Sequence, residues 1–302
     1  MGEDDIPAEN TVAAAVTARL IEHATRHGVP LPDLFEQAAW PSFTSHPDFR
    51  VPFATHWAVW EAVHEHGVPG DFGLRFGDSF ELDQLGVLGM LMTHSATVEE
   101  ALAQQTRFQR LLLDTPFKVT RLEPGKLVIE HPRLPVAMRL PHMIVAGLAY
   151  WMKLLRALLC EEVGALNVEL PHPPLTNVDD YRAVFGTSPR FDAPRILLEI
   201  DRDLWSAPVR AASLGIEAYL RERATRILQS LATGGDALEG IREYMADELR
   251  HGRHPTLAAA AKRLGTSTRT LQRSLQSAQQ SYDTLLDQTR KQLSLEYRGD
   301  DR

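Results

Sequence analysis

Residues 267 to 276 carry side chains whose types and spacing suit contacts with nucleic acid. Arg269, Gln272 and Arg273 occupy positions i, i+3 and i+4, so on a helix they project from one face. Arginine and glutamine side chains make paired hydrogen bonds with guanine and adenine edges in the major groove. The other residues predicted to contact DNA, mainly at sugars and phosphates, are Lys262, Ser267, Thr268, Thr270 and Gln276.

The charge of the surrounding segment supports this interpretation. Between Leu249 and Tyr282 there is no Asp or Glu. Six basic residues fall in the same segment, and they are Arg250, Arg253, Lys262, Arg263, Arg269 and Arg273. A basic surface attracts the phosphate backbone. The alternative is a helical hairpin with a solvated basic face.

Two short helices must position these side chains. Pro255 and Thr256 form a helix start signal, and Gly265 accepts the positive φ that ends a helix. Apolar residues recur between them at helical spacing, namely Leu257, Ala260, Ala261 and Leu264. The sequence therefore predicts a first helix that is buried along one side.

The second helix is predicted to begin after Ser267. The side-chain oxygen of an N-cap serine accepts a hydrogen bond from the backbone amide two or three residues later. Leu271 and Leu275 lie four residues apart on the face opposite the arginines. With the small Ala261 and the turn-forming Gly265, they predict a helix-turn-helix.

The segment from residue 261 to 275 resembles the first helix-turn-helix of the AraC/XylS transcription regulators. Ser281 and Tyr282 resemble the cap and the aromatic position of the family's linker helix. Residues 83–90 and 95–102 are similar to an arabinose-binding-type sensor domain of one subgroup. Further matches to that domain are Phe185, Gly186, Asp201 and residues 204–208.

One departure concerns the end of the chain. The family's DNA-binding unit has two helix-turn-helix motifs, but this sequence ends at Arg302, where the second motif is expected to begin. Ser294 and Arg298 also replace the usual Ala and Leu of the linker helix. We therefore expect an incomplete DNA-binding domain with one motif and the linker helix.

The resemblance implies a transcription regulator that binds a specific DNA sequence and responds to a small-molecule effector. It implies a sensing and dimerising domain in residues 1–232 and the DNA-binding domain in residues 236–302. The expected partners are double-stranded DNA, an unidentified effector, a second copy of the chain and RNA polymerase, with no membrane and no cofactor. One alternative is a shortened regulator that acts through a partner chain, and another is an enzyme that uses an N-terminal pocket.

Composition and charge agree with two domains in the cytoplasm. The chain has 302 residues and a formal charge of −8, which divides into +4 for residues 251–302 and −12 for the rest. Residues 1–9 lack the basic and apolar parts of an export signal. Lys153 and Arg156 interrupt the most apolar segment. Cys160, the single cysteine, is expected to be a packed thiol.

Periodicity predicts helices interleaved with strands before the break at residues 233–236, which indicates an α+β or α/β sensor domain; we take the mixed α+β class. The predicted helices are 12–27, 31–39, 52–66, 97–113, 141–162, 210–231 and 237–250. Residue 41 is expected to open a loop. A β-hairpin is predicted from Lys118–Leu122 and Lys126–Glu130, and further strands at 166–170 and 195–200. Thr97 and Glu100 predict a capping box.

Motifs for catalysis or metal binding are weak. The sequence has no phosphate-binding glycine loop, no Gly-x-Ser-x-Gly elbow and no cysteine pair. Glu61 and His64 share a helix face, but His66 points away from it, so exposed helix-end histidines explain this cluster more simply than a metal. A sensor pocket could be lined by Phe53, Trp57, Trp60, Phe108, Met143, Tyr150 and Trp151, although such residues more commonly fill a core.

Overall fold

The computed structural model describes residues 10–31, 50–113, 119–123, 125–131, 137–232, 235–264, 268–277 and 280–299. An α+β region is followed by an all-helical region, as the sequence predicts. Predictions that lie outside the described residues are the helix from 32 onward, the loop at Pro41, the turn at Gly265 and the cap at Ser267.

Two antiparallel sheets lie in the α+β region. The smaller pairs β1 (Thr11–Ala13) with β2 (Arg50–Pro52). The larger has the strand order β3-β4-β6-β5, and its strands are β3 (Val119–Glu123), β4 (Lys126–His131), β5 (Asn167–Glu169) and β6 (Ile196–Asp201). Val128 pairs with Glu199 in the centre of this sheet. The predicted hairpin and both later strands are therefore confirmed, with small shifts of their ends.

Helices pack around these sheets. They are α1 (Ala14–Arg26), α2 (Phe53–His66), α3 (Phe72–Asp78), α4 (Gly86–Thr93), α5 (Val98–Phe108), α6 (Pro141–Leu159), α7 (Val178–Phe185) and α8 (Leu214–Ala232). Short 3₁₀ segments lie at Leu82–Leu85, Gln109–Leu111, Ala137–Arg139 and Arg202–Ser206.

Helix α6 is the central helix of the α+β core. It is long and apolar enough to cross a membrane by length and composition, but most of it is buried inside the protein. Helix α3 packs closely along it, because a Cβ at Gly73 or Gly77 would lie 2.3 Å from the backbone oxygen of His142 or Ala146. Two glycines four residues apart thus let the two backbones approach each other.

The all-helical region has its own hydrophobic core. Its helices are α9 (Gly235–Arg250), α10 (Leu257–Arg263), α11 (Thr268–Ser277) and α12 (Tyr282–Gly299). The core includes Ile241, Met245, Leu271, Leu275 and Leu285. The larger core contains residues from Val12 to Ala224, so the two clusters separate between helices α8 and α9.

Several helix predictions need correction. The helix predicted for 141–162 ends at Leu159, and the one predicted for 210–231 begins at Leu214. Val12 lies in β1 and not in a helix, because Thr11–Ala13 pairs with Arg50–Pro52. Helix α5 ends at Phe108, where the chain continues into a 3₁₀ turn. The Thr97 hydroxyl accepts from the Glu100 amide at 3.2 Å, but the Glu100 carboxylate accepts from Ala96 at 3.0 Å, so the second bond of the capping box is shifted by one residue.

The expectation for Cys160 was also wrong. Helix α6 ends at Leu159, and Cys160 turns the chain with a positive φ of 53°. The left-handed turn takes its side chain off the buried face, so the thiol is exposed and not packed.

Candidate nucleic-acid interface and sensor cavity

Helix α11 has one buried face and one exposed face. Leu271 and Leu275 are 2% and 4% exposed and contribute to the smaller core. Arg269, Gln272 and Arg273 are exposed on the other side. The three side chains predicted to contact base edges therefore share a solvent-facing surface.

The other predicted DNA contacts lie around this surface. Lys262 on α10 and Thr268 and Gln276 on α11 are exposed. Thr270 lies within α11, and Ser267 lies outside the described residues.

Helices α9 and α10 contact α11 and position it, and α12 packs against α9. Thr256 caps α10 by accepting a hydrogen bond from the Ala259 amide at 3.2 Å. Ala260 and Ala261 are buried, and small side chains there allow close packing of α11. Ser281 caps α12 by accepting from the Thr284 amide at 3.1 Å, as its sequence predicts.

The structure reduces the net charge of this surface. Arg253 forms an ion pair with Glu248 at 2.7 Å, and Arg263 forms one with Asp247 at 3.0 Å. The hydrogen bond from Arg253 holds the pKa of Glu248 below its usual range. Asp247 and Glu248 both belong to α9. They lie immediately before the segment from Leu249 to Tyr282, which contains no Asp or Glu. Two of the six basic residues are therefore already neutralised within the chain.

A cavity of about 200 Å³ lies inside the α+β core. Its walls come from strands β1, β4 and β6 and from helices α1, α2, α3, α5 and α6. Most of the lining is apolar or aromatic, including Phe53, Trp60, Phe76, Phe80 and Trp151.

Indole donors fix both histidines in the cavity wall. Trp60 Nε1 donates to His56 Nε2 at 3.1 Å, and His56 Nδ1 lies 3.0 Å from the Thr17 hydroxyl. Trp151 Nε1 donates to His131 Nε2 at 3.2 Å. Because an indole N–H is only a donor, each Nε2 must be unprotonated in this arrangement. Burial lowers the pKa of His56 to about 4.

Two buried polar atoms in the wall have no hydrogen-bond partner among the described residues. They are the side-chain oxygen of Gln105 on α5 and the hydroxyl of Tyr150 on α6. Burial raises the pKa of Tyr150 above its usual range, so this hydroxyl keeps its proton. An unsatisfied buried polar atom costs about 1 to 3 kcal/mol, so a ligand could regain that free energy.

Five of the seven aromatic and apolar residues considered for a pocket line this cavity. They are Phe53, Trp60, Met143, Tyr150 and Trp151. Trp57 and Phe108 are buried elsewhere in the core. His56 and Gln105 were missed as polar lining residues, although each is a polar residue at helical spacing among apolar ones, which is a usable sequence signal.

The histidine cluster on α2 faces solvent. Glu61, His64 and His66 are exposed, and Glu61 accepts a hydrogen bond from Trp57 Nε1 at 3.0 Å. Within the described part of the chain, no group of three or more His, Cys, Asp or Glu side chains could hold a metal ion.

Residues 28–209 match the family model described as the arabinose-binding domain of AraC transcription regulators, N-terminal. The chain therefore belongs to the AraC family of transcription regulators. It is 26% identical over 292 residues to the ornithine utilization regulator of Pseudomonas aeruginosa, which covers 95% of this chain and 84% of that protein. The crystal structure of the transcriptional regulator CdpR from Pseudomonas aeruginosa matches with 20% identity and a TM-score of 0.48, over 92% of this chain and 84% of that one.

Proposed function

We propose that this regulator binds a specific DNA sequence in the cytoplasm and responds to a small molecule. The observation that carries the DNA-binding proposal is the exposed face of α11, where Arg269, Gln272 and Arg273 lie opposite the buried Leu271 and Leu275. That arrangement suits a recognition helix of a helix-turn-helix, with its core side packed and its polar side in the major groove.

The roles of individual residues follow from their chemistry. Arg269 and Arg273 bind guanine edges, and Gln272 binds an adenine edge. Lys262, Thr268 and Gln276 contact sugars or phosphates, and Ser267 and Thr270 belong to the same proposed set.

The proposed division of labour assigns residues 1–232 to sensing and dimerisation and residues 236–302 to DNA. The separation of the two hydrophobic clusters supports this boundary. The cavity in the larger cluster supports a sensing role, because ligand sites are mostly apolar and contain a few placed polar groups.

Helix α5 offers a route from the cavity to the DNA-binding domain. Gln105 lines the cavity, and the next residue back, Gln104, donates to the buried Glu217 of α8 at 3.1 Å. Arg221 also bonds to Glu217. Helix α8 in turn contacts α9, the first helix of the DNA-binding domain. A ligand that shifts α5 would thus act on the helix that leads towards the DNA.

We assign a homodimer to the functional state, and RNA polymerase as the partner at a promoter. Exposed apolar residues on α8 support pairing of two chains: Ile216 and Tyr219 are 46% and 64% exposed and lie three residues apart. Contiguous exposed apolar surface marks protein interfaces, whereas isolated exposed apolar residues do not. No membrane partner belongs to this proposal.

A second candidate is a regulator that does not bind DNA by itself and acts by pairing with another chain. The ion pairs of Arg253 and Arg263 favour it, because they remove two cations from phosphate contacts. Fewer phosphate contacts weaken binding and reduce its salt dependence.

Fluorescence anisotropy with the intact chain separates the two candidates. Duplexes selected from a random pool for binding are compared with scrambled duplexes across salt concentrations. The first proposal expects tighter binding to selected duplexes and an affinity that falls as salt rises. Equal binding to both duplexes, or none, would favour the second candidate.

A further inference from the structure

The size of the cavity limits its ligand. A cavity of about 150 Å³ is large enough for benzene. The volume here is about 200 Å³, so the space suits one ring with one or two small substituents.

The charge of the cavity wall limits the ligand further. The described lining residues include no Asp, Glu, Lys or Arg. His56 is neutral in its hydrogen-bonded arrangement with Trp60. The Arg19 guanidinium lies over the Phe80 ring, but it donates to the Ser79 carbonyl and does not line the cavity. An ionised ligand would lose its hydration there and gain no opposite charge, which costs several kcal/mol.

The two unpaired polar atoms define what the ligand must offer. The Gln105 oxygen accepts a hydrogen bond, and the Tyr150 hydroxyl donates or accepts one. The remaining described wall is mainly apolar, with Gln109 and His131 as further polar residues, so most additional hydroxyls of a sugar would be buried without partners, at about 1 to 3 kcal/mol each.

On the basis of the proposed sensing function, we infer that the effector is an uncharged, largely apolar molecule of about one substituted ring, held by hydrogen bonds to Gln105 and Tyr150. The inference separates this chain from two ligand classes that its relatives' names suggest. Ornithine is a charged amino acid, and arabinose carries several hydroxyl groups. Neither matches the chemistry of this cavity.

Matched probes test the inference in the intact chain by isothermal titration calorimetry at neutral pH. The first probe is 4-methylphenol, which has one hydroxyl. In 1,4-dimethylbenzene a methyl group replaces that hydroxyl, and in 4-methylbenzoate a carboxylate replaces it. L-ornithine and L-arabinose complete the set. We expect 4-methylphenol to bind at least about 10-fold more tightly than the charged probes and the sugar.

Two variants locate the hydrogen bonds. Tyr150→Phe and Gln105→Met keep most of the side-chain volume but remove the polar atom. Each should weaken binding of 4-methylphenol about 2- to 10-fold and leave binding of 1,4-dimethylbenzene unchanged within about twofold. The matched control is Tyr181→Phe, because that buried hydroxyl already bonds to the Leu175 amide at 3.0 Å and does not line the cavity.

Each contrary outcome is distinct. If ornithine, 4-methylbenzoate or arabinose bound as tightly as 4-methylphenol, the ligand class would be wrong while the sensing function would stand. If both variants bound 4-methylphenol as the wild type does, the hydrogen-bond assignment would be wrong. Absence of binding by both neutral ring probes would overturn the inference. Anisotropy with DNA tests the proposed DNA binding separately from the ligand class.

Discussion

His56 connects the cavity wall with the stability of the protein. It is 8% exposed, accepts from Trp60 and contacts Thr17. Its folded pKa of about 4 lies below the unfolded value of about 6.5, so between these pH values the unfolded chain binds a proton that the folded chain does not. The stability contributed by neutral His56 is therefore fully present above pH 6.5 and is lost as pH falls towards 4.

We predict that the free energy of unfolding decreases as pH is lowered from about 7 to 5, and that His56→Asn reduces this dependence. A fully buried histidine with this shift contributes up to roughly 3 kcal/mol over the whole range. Urea unfolding at several pH values measures the effect. The control is Thr17→Val, which removes a partner of the ring but keeps the titrating group and hence the pH dependence. Equal pH dependence in wild type and His56→Asn would contradict the assignment.

The exposed face of α11 makes a prediction for single side chains. Arg269→Ala and Arg273→Ala should each weaken binding to a selected duplex by about 1 to 3 kcal/mol and have less effect on a scrambled one. Lys262→Ala should weaken binding to both duplexes alike and reduce the salt dependence. Anisotropy titrations of the three variants on both duplexes provide the measurement. Arginine variants that bind the selected duplex as tightly as wild type would show that this face does not contact bases.

At the residue level, the faces of α10 and α11 were predictable and the ion pairs were not. Leu271 and Leu275 are four residues apart, and helical geometry alone places them together. The pairing of Arg263 with Asp247 depends on how α9 packs on α10, which is a tertiary contact across 16 residues. Charge counts along a segment cannot reveal such a contact.

Among the elements, the contact of α3 with α6 determines one wall of the cavity. Phe76 on α3 and Tyr150 on α6 both line it. The close approach depends on Gly73 and Gly77, since a methyl group at either would meet the α6 backbone.

We predict that Gly77→Ala lowers the free energy of unfolding by about 1 to 3 kcal/mol or more, because the added methyl group forces the helices apart. The matched control is Gly215→Ala on α8, where a Cβ would meet nothing within 4 Å. Alanine has the higher helix propensity, so this control should stabilise by about 0.4 to 1 kcal/mol. Thermal unfolding of both variants gives the comparison. Equal stabilisation by both substitutions would contradict the described packing.

The helices with clear start and stop signals were found from the sequence. Helix α2 begins at Phe53 and ends at His66, and the following Gly67 has the positive φ of 72° that favours glycine after a helix. Helices α3, α4 and α7 were not predicted. Helices α3 and α4 each contain glycines that lower helix propensity and resemble turn signals. Tertiary packing against α6 overrides that local preference in α3.

For the whole molecule, the proposed dimer depends on the exposed apolar side of α8. We predict that Ile216→Glu combined with Tyr219→Glu shifts the intact chain from dimer to monomer, because two added carboxylates on each chain would be buried against each other without opposite charges. The control is Leu166→Glu, since Leu166 is 55% exposed but lies beside β5. Sedimentation equilibrium measures the molecular mass. A double variant that remains dimeric would place the interface elsewhere.

Pairing of two chains also determines how tightly the protein can bind DNA. Specific complexes have dissociation constants of about 10⁻⁸ to 10⁻¹¹ M. A fragment that offers one recognition helix where two normally bind would keep about half of that binding free energy, roughly 5 to 8 kcal/mol. A single recognition helix therefore gives micromolar or weaker binding. Two chains joined through residues 1–232 would restore tight binding, because the second helix then acts at a high effective concentration.

The central claim is that paired chains place their α11 helices on a specific DNA sequence, and one titration tests it most directly. The intact chain and a fragment of residues 236–302 are titrated against the same selected duplex at physiological salt. The smaller core lies within residues 238–289, so the fragment retains it. We predict nanomolar, sequence-specific binding by the intact chain and micromolar or weaker binding by the fragment. Nanomolar specific binding by the monomeric fragment, or no specific binding by the intact dimer, would contradict the account.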